Sequence, residues 1–272
     1  MTPLFSISGS FINYTAARLF IEVGECSLSF FILNEANEFI AVSVFQFTDK
    51  LQAEKEIQHI LYHEAVLKER YRRVDIIYVF SESILAPKAL TDIATNKEML
   101  ELVYGDFADK AIRSDFMYKQ NVQNIYRIPT VIDNAVSNQF PTATITHLYS
   151  VLPDVVSNKE NVLYTIFSPK LIIAILVKDG KLQIVQNFRY QTAEDAAYYL
   201  LSICNNFEAD INQTNLILTG MIDVSSPLYA ELYKYFLNTS FGTLPDQFQY
   251  SDEIKNYPAH YFSHLFSIAA CV

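Results

Sequence analysis

The stretch Val162–Tyr190, VLYTIFSPKLIIAILVKDGKLQIVQNFRY, decides the fold. It reads as three short apolar strands: VLYTIF, then LIIAILV, then LQIVQNFRY. Lys178-Asp179-Gly180-Lys181 joins the last two. Asp-Gly between apolar runs marks a type I′ hairpin, because both central residues of that turn need positive φ. A second stretch repeats the pattern: Leu19–Phe47 contains LFIEVG, SLSFFIL, the polar tetrad NEAN and EFIAVSVFQF. At one constant offset Leu19 meets Val162, Leu28 meets Leu171, Asn37 meets Gly180, Phe45 meets Phe188 and Phe47 meets Tyr190. Both turns then fall in the same place without a gap. A self-similarity of this length means that one folding unit occurs twice.

Working outward, each meander runs into an amphipathic helix. Over Leu51–Tyr71, Ala53, Ile57, Ile60, Leu61 and Leu67 share one face. After Thr192, a natural N-cap, Ala196, Ala197, Leu200, Leu201 and Cys204 form the apolar stripe. Each helix delivers a strand, Asp75–Phe80 and Asn215–Gly220, with Ile76 aligned to Leu216. A strand after a crossover helix runs parallel to its predecessor, with a right-handed connection. The first half continues with a helix over Pro87–Val103, strands near Phe116–Ile128, a helix opening at Pro129, a strand over Thr142–Thr146 and a helix past His147. The second has a helix over Pro227–Leu237, a strand near Leu244–Gln249 and a final helix from Pro258 to Val272. The polar stretch Ser157–Glu160 separates the copies, giving an N-terminal lobe over 1–158 and a C-terminal lobe over 159–272. The fold class expected is α/β: two βββαβαβα lobes with mixed sheets.

Composition bounds the function classes. Of 272 residues 51% are apolar and 18% charged, which supports a large core and excludes intrinsic disorder. A net charge of −10 repels phosphate backbones and anionic lipid, so neither nucleic acid nor membrane insertion is expected. Cys26, Cys204 and Cys271 are far apart and form no CxxC, which reads as free buried thiols in a reducing compartment. The first residues carry no basic segment followed by a long apolar one, and the longest apolar run, Leu171–Val177, is far short of a membrane span. The location expected from these features is the cytoplasm.

Three antiparallel strands, a helix, a parallel strand, a helix, a strand and a helix, present twice, resemble the actin-like ATPase (ribonuclease H-like) fold of actin, the Hsp70 ATPase domain and sugar kinases. The resemblance covers nearly the whole chain and rests on topology and repeat. More narrowly, NIYRIPTVIDNAV (124–136), TITHLYSVLP (144–153) and YPAHYFSHLFSIAACV (257–272) are similar to a bacterial family of unknown function with this fold.

The resemblance implies a nucleotide site built from two hairpin loops. Such loops need glycine, so that backbone N–H groups approach phosphate, and a carboxylate to hold Mg²⁺. The first loop here is Glu22-Val23-Gly24-Glu25-Cys26-Ser27, where the family pattern begins Asp-x-Gly. Glu25 places a negative charge where phosphate would lie. The second, Thr165-Ile166-Phe167-Ser168-Pro169-Lys170, has no glycine and no carboxylate, and Pro169 has no N–H to donate. The adenosine turn, Leu218-Thr219-Gly220-Met221, has one glycine where the family usually has a pair. The chain holds six glycines in all; Gly180 serves a hairpin and Gly105 a helix stop, which leaves too few for three nucleotide-binding turns.

Other constellations read as packing. His59/His63 and His260/His264 have the i, i+4 spacing of paired metal ligands, but each pair lies opposite an apolar face and is expected to be solvated. No HExxH, GxSxG, P-loop or GxGxxG is present. Tyr198, Tyr199, Tyr229, Tyr233 and Tyr235 suit either an interface or half-buried helix packing, the latter being favoured. The expectation is a catalytically inactive actin-like fold, without catalytic residues, cofactor or metal, that binds a protein partner. The alternative is a diverged ATP-binding protein or ATPase using Glu22, Gly24 and Gly220.

Overall fold

The apolar runs pair as two mixed sheets, each built on an antiparallel meander. The structure, a computed structural model, describes residues 2–9, 13–47, 50–156 and 158–272. After β1 (Phe5–Ser8), the first meander is β2 (Arg18–Gly24), β3 (Ser27–Leu33) and β4 (Glu38–Gln46). Helix α1 (Lys50–His63) delivers β5 (Arg73–Val79) parallel to β2. An insertion follows: β6 (Ser83–Pro87), α2 (Ile93–Tyr104), β7 (Lys110–Met117) and β8 (Val122–Pro129), whose strands form a separate sheet in the order β6-β8-β7. Helix α3 (Thr130–Gln139) leads back to β9 (Thr144–His147), parallel to β5, and α4 (Leu148–Val155) follows.

The second copy repeats the plan without the insertion. Its meander is β10 (Val162–Ser168), β11 (Leu171–Lys178) and β12 (Lys181–Arg189). Helix α5 (Ala193–Asn206) delivers β13 (Asn215–Gly220) parallel to β10, and α6 (Pro227–Tyr233) leads to β14 (Thr239–Phe241) parallel to β13. The chain then forms β15 (Gln249–Tyr250), α7 (Asp252–Lys255) and α8 (Ala259–Ala269). Two compact units result: 1–150 with 247–254, and 151–246 with 255–272. The division falls inside α4, and β15 returns to pair with β4 of the first unit. Of the polar stretch expected to part the lobes, Ser157 lies outside the described residues.

In each unit the meander buries one face under helices. Leu19, Ile21, Leu28, Phe30 and Ile76 pack with Ile57, Ile60 and Leu61 of α1 and Ile132 and Val136 of α3. Leu163, Phe167, Ile172, Ala174, Leu216 and Leu218 pack with Ala196, Ala197, Leu200 and Cys204 of α5. The α5 stripe is the expected one, and Thr192 caps it in a capping box with Asp195. Each fully buried Leu, Ile or Phe contributes about 1.5–3 kcal/mol to stability.

Core membership corrects the register of the repeat. Leu19 and Leu28 face the helices in the first unit; Leu163 and Ile172 do so in the second. The counterpart of Leu19 is therefore Leu163, not Val162, and that of Leu28 is Ile172, not Leu171. The strand bounds agree, since Gly24 ends β2 and Ser168 ends β10. Phe45 keeps its expected counterpart Phe188, because the chain from Ile172 to its partner Phe188 is one residue shorter than that from Leu28 to its partner Phe45. Leu19 pairs with Val74 and Leu163 with Leu216, so Ile76 corresponds to Leu218 rather than Leu216. A slip of one residue reverses every side chain of a strand, and the apolar runs, buried on both faces, carry no alternation to fix it.

Other element boundaries also differ from expectation. α1 stops at His63, and a 3₁₀ turn at Val66–Lys68 completes the segment expected to be helix to Tyr71. Pro87 ends a strand; α2 begins only after Asp92, whose carboxylate accepts the Thr95 N–H at 2.9 Å. No strand covers Leu244–Phe248, where Pro245 cannot donate to a ladder; the parallel strand comes earlier, as β14. Of the three free thiols, Cys204 is buried, with its pKa pushed up to about 11 by burial, while Cys271 is exposed.

Two glycines make a direct test of the second sheet. Gly180 forms the expected hairpin with φ +68° beside Asp179 at +51°, and open space surrounds it. Gly220, at φ +78°, lies so close to β10 that an added Cβ would sit 2.3 Å from the Phe167 carbonyl oxygen. Gly180→Ala is expected to cost about 1 kcal/mol. Gly220→Ala, which adds a clash with backbone to the φ strain, should cost about 3 kcal/mol or more. Urea unfolding of both variants checks this; equal losses would mean that β13 and β10 do not approach as described.

Candidate functional site

Strand order sends Glu22 and Gly24 to the C-terminal end of β2. Glu22 is paired with Ser29 on β3 and Ile77 on β5, and is 7% exposed. Among the described residues its carboxyl has no hydrogen-bond partner, and burial pushes its pKa up to about 7. Gly24 has no positive φ; its role is close approach, since an added Cβ would lie 2.8 Å from the Val79 carbonyl oxygen. Glu25 does not lean over an open anion site. Its carboxylate accepts the Ser81 N–H at 2.9 Å and the Ser81 hydroxyl, tying the β2–β3 turn to the chain just past β5.

The second unit fills the corresponding positions differently. The counterpart of Glu22 is Ile166, a buried apolar residue, and that of Gly24 is Ser168. Thr165 spends its hydroxyl on the Ile217 carbonyl at 2.8 Å. Tyr190 donates its N–H to the Lys170 carbonyl at 3.2 Å and its hydroxyl to the Ser168 carbonyl at 2.7 Å, closing the Pro169-Lys170 turn. At Gly220 the chain is bound to β10 as well: Met221 N–H donates to the Phe167 carbonyl at 2.7 Å.

A pocket of about 80 Å³ opens in the first unit beside Glu25. Its floor is apolar, from Ala53 and Ile57 of α1, Phe80, Pro129 and Ile132. Its polar wall is Glu25, Glu54, Glu82, Lys110 and Arg127. Lys110 of β7 and Arg127 of β8 come from the insertion, and Glu82 from the residue just before it. Arg127 is 3% exposed and donates to the Gly105 carbonyl at 2.9 Å, the Tyr104 carbonyl at 3.0 Å and the Glu82 carboxylate, with its guanidinium 4.5 Å from the Phe107 ring centroid. Lys110 pairs with the same carboxylate. Partial burial raises the Glu82 pKa, but the hydrogen bonds from Arg127 and Lys110 outweigh it and hold the group below the usual carboxylate range.

Buried polar links fix the insertion against the first sheet. Asp115 on β7 accepts from Thr146 Oγ1 (3.1 Å), His147 N–H (2.7 Å), Ser150 Oγ (2.7 Å) and Tyr126 OH (3.1 Å). Asp133 on α3 takes Arg113 of β7 at 2.8 Å and the Tyr78 hydroxyl at 3.0 Å. His147 accepts the Tyr149 N–H on Nδ1 and so donates from Nε2 to the Phe80 carbonyl at 3.0 Å. Burial lowers its pKa to about 4.

The histidine pairs separate. His59 and His63 are exposed, as the helix wheel implies, with ring centroids 4.4 Å apart. The pair on α8 corrects the expectation of a solvated face. His260 bonds the Ile222 carbonyl at 2.7 Å; His264 is buried with Nδ1 unpartnered, and burial lowers its pKa to about 3. Its helix is buried around most of its circumference, which one amphipathic wheel does not foresee. Among the described residues no group of three His, Cys, Asp or Glu is placed to hold a metal ion. No helix among them is long and apolar enough to cross a membrane. The tyrosines divide: Tyr199 stacks on Phe188 and Tyr229 on Phe241, while Tyr198, Tyr233 and Tyr235 are exposed. The pocket wall was not foreseen, because its five residues come from five separate segments and match no motif.

The duplicated βββαβαβα arrangement is the actin-like ATPase fold. The chain belongs to the DUF3822 family, proteins of unknown function, whose profile matches residues 9–239. It is similar to a Bacteroides thetaiotaomicron protein with actin-like ATPase fold and unknown function, at TM-score 0.78 and 19% identity over 97% of this chain and 100% of that one. It is also similar to a structure of the PilM-PilN type IV pilus biogenesis complex (TM-score 0.54, 13% identity, 93% and 97% covered). A third is the ethanolamine utilization protein EutJ from Carboxydothermus hydrogenoformans (TM-score 0.50, 8% identity, 94% and 90% covered). Among functionally curated proteins none matches the sequence.

Glu22 gives a pH test. Its folded pKa, about 7, is raised above an unfolded value near 4.5, so its favourable contribution is full below about pH 4.5 and is lost as the pH rises to about 7. Glu22→Gln, which mimics the protonated form, should leave stability unchanged near pH 4.5. At pH 8 it should raise stability by about 1–3 kcal/mol. Urea unfolding at the two pH values decides; a loss at pH 8 would show that the ionised carboxylate has a stabilising partner.

Proposed function

We propose that this chain is a non-catalytic actin-fold module of the cytoplasm that binds a protein partner. The observation that carries the reading is what replaces phosphate contacts at both turns. Glu25 is tied to Ser81, Gly24 is fitted against Val79 and Gly220 against Phe167, while Pro169 has no N–H to offer. Phosphoryl transfer depends on positioning and on donors aimed at the transferring group. Here a carboxylate stands in the first turn, and the second has neither glycine nor carboxylate. The remaining pocket, apolar below and charged at the wall, suits a side chain of a partner better than a triphosphate, since its two cations already share Glu82. One structure of the same fold is a two-protein complex, PilM-PilN, which supports the reading by analogy.

A second reading, a diverged ATP-binding protein, is favoured by one observation. Glu22 occupies the first-loop carboxylate position and has no hydrogen-bond partner among the described residues, so an incoming hydrated cation would meet an available oxygen. Phosphate release separates the two. Purified protein with Mg-ATP should release phosphate no faster than buffer near neutral pH. Steady turnover that disappears in Glu22→Ala would establish the second reading.

A further inference from the structure

Two histidine pairs share the i, i+4 spacing that sets side chains one turn apart on a helix. Only one pair keeps both rings at the surface. On α8, His260 uses Nε2 on the Ile222 carbonyl at 2.7 Å, and His264 is buried. On α1, His59 and His63 are both exposed, with ring centroids 4.4 Å apart and ring planes tilted by 34°. Among the described residues neither ring makes a hydrogen bond or an ion pair.

That separation selects a chemistry. With metal–nitrogen bonds of about 2.0–2.1 Å, two imidazoles at right angles on one ion have ring centres about 4.5 Å apart. At a tetrahedral angle the same bonds set them about 5.2 Å apart. Square-planar and octahedral ions hold their ligands at right angles, so the pair matches nickel(II) or copper(II) better than zinc(II). The place of the pair on its helix also favours a cation. His63 is the last residue of α1, where the macrodipole is negative. The chain as a whole carries a net charge of −10. Ile57, Ile60 and Leu61 hold the opposite face of the helix in the core, so both rings project from a rigid element.

We propose that His59 and His63 form a two-histidine chelate for a divalent transition-metal ion of right-angled geometry, nickel(II) or copper(II), on the exposed face of α1. Water fills the other coordination positions, because no third His, Cys, Asp or Glu among the described residues is placed to join them. Mg²⁺ and Ca²⁺, which take oxygen ligands, are not held there. The site is independent of the pocket and of the residues at the ends of β2 and β13, and stands whether or not the chain binds nucleotide.

The test is calorimetric titration of the untagged full chain with nickel(II) chloride in a non-coordinating buffer. Nickel is the probe because copper(II) oxidises free thiols, and Cys271 is exposed. A saturable isotherm with one ion per chain and micromolar affinity is the result expected. His59→Gln or His63→Gln should weaken it about tenfold or more, since either leaves a single ligand and loses the chelate. Lys55→His in the His63→Gln background sets a new pair at 55 and 59, again one turn apart on the exposed face, and should restore the affinity. Far-UV circular dichroism checks that each variant is folded. No saturable binding at millimolar nickel would overturn the proposal. So would an affinity unchanged by either glutamine variant, or a loss that Lys55→His does not rescue.

Discussion

In both units a parallel strand lies so close against the first strand of the meander that one of the pair carries a glycine at its C-terminal end. Gly24 meets Val79 in the first unit, and Gly220 meets Phe167 in the second. The approach follows from the crossover: a helix packed on the sheet brings β5 beside β2 and β13 beside β10, and the ladder pulls them to strand spacing. Whatever sits at these ends must share the space with backbone. In this chain the neighbouring groups are spent on the protein itself, through Glu25 on Ser81 and Met221 on Phe167.

The two copies have diverged around that shared constraint. The first gained a three-stranded insertion, held by Asp115 and Asp133, which walls a pocket with Glu82, Lys110 and Arg127. It also covers its meander edge with β1 and β15. The second keeps the plain βββαβαβα order, and among the described residues β12 is the last strand of its sheet.

Much of this was legible in the residues. Asp179-Gly180 fixed a hairpin, Thr192 a helix start, and the repeat of three apolar runs the two-lobed topology, because each depends on local chemistry. The register of β10 and β11 was not legible, since LIIAILV is buried on both faces and has no alternating pattern. Long-range pairing was also hidden. Nothing local in Gln249-Tyr250 says that it joins β4, and nothing in Arg127 says that it will stack on Phe107 beside Glu82. The sparse glycines pointed to altered loops, but only the structure shows that Gly24 and Gly220 are needed for strand contact.

The central claim is that strand packing, not nucleotide, accounts for the residues at the ends of β2 and β13. Calorimetric titration of the full chain with Mg-ATP at pH 8, where Glu22 is ionised, tests it most directly. The account predicts no saturable heat up to millimolar nucleotide. A stoichiometric binding isotherm that Glu22→Gln abolishes would contradict it.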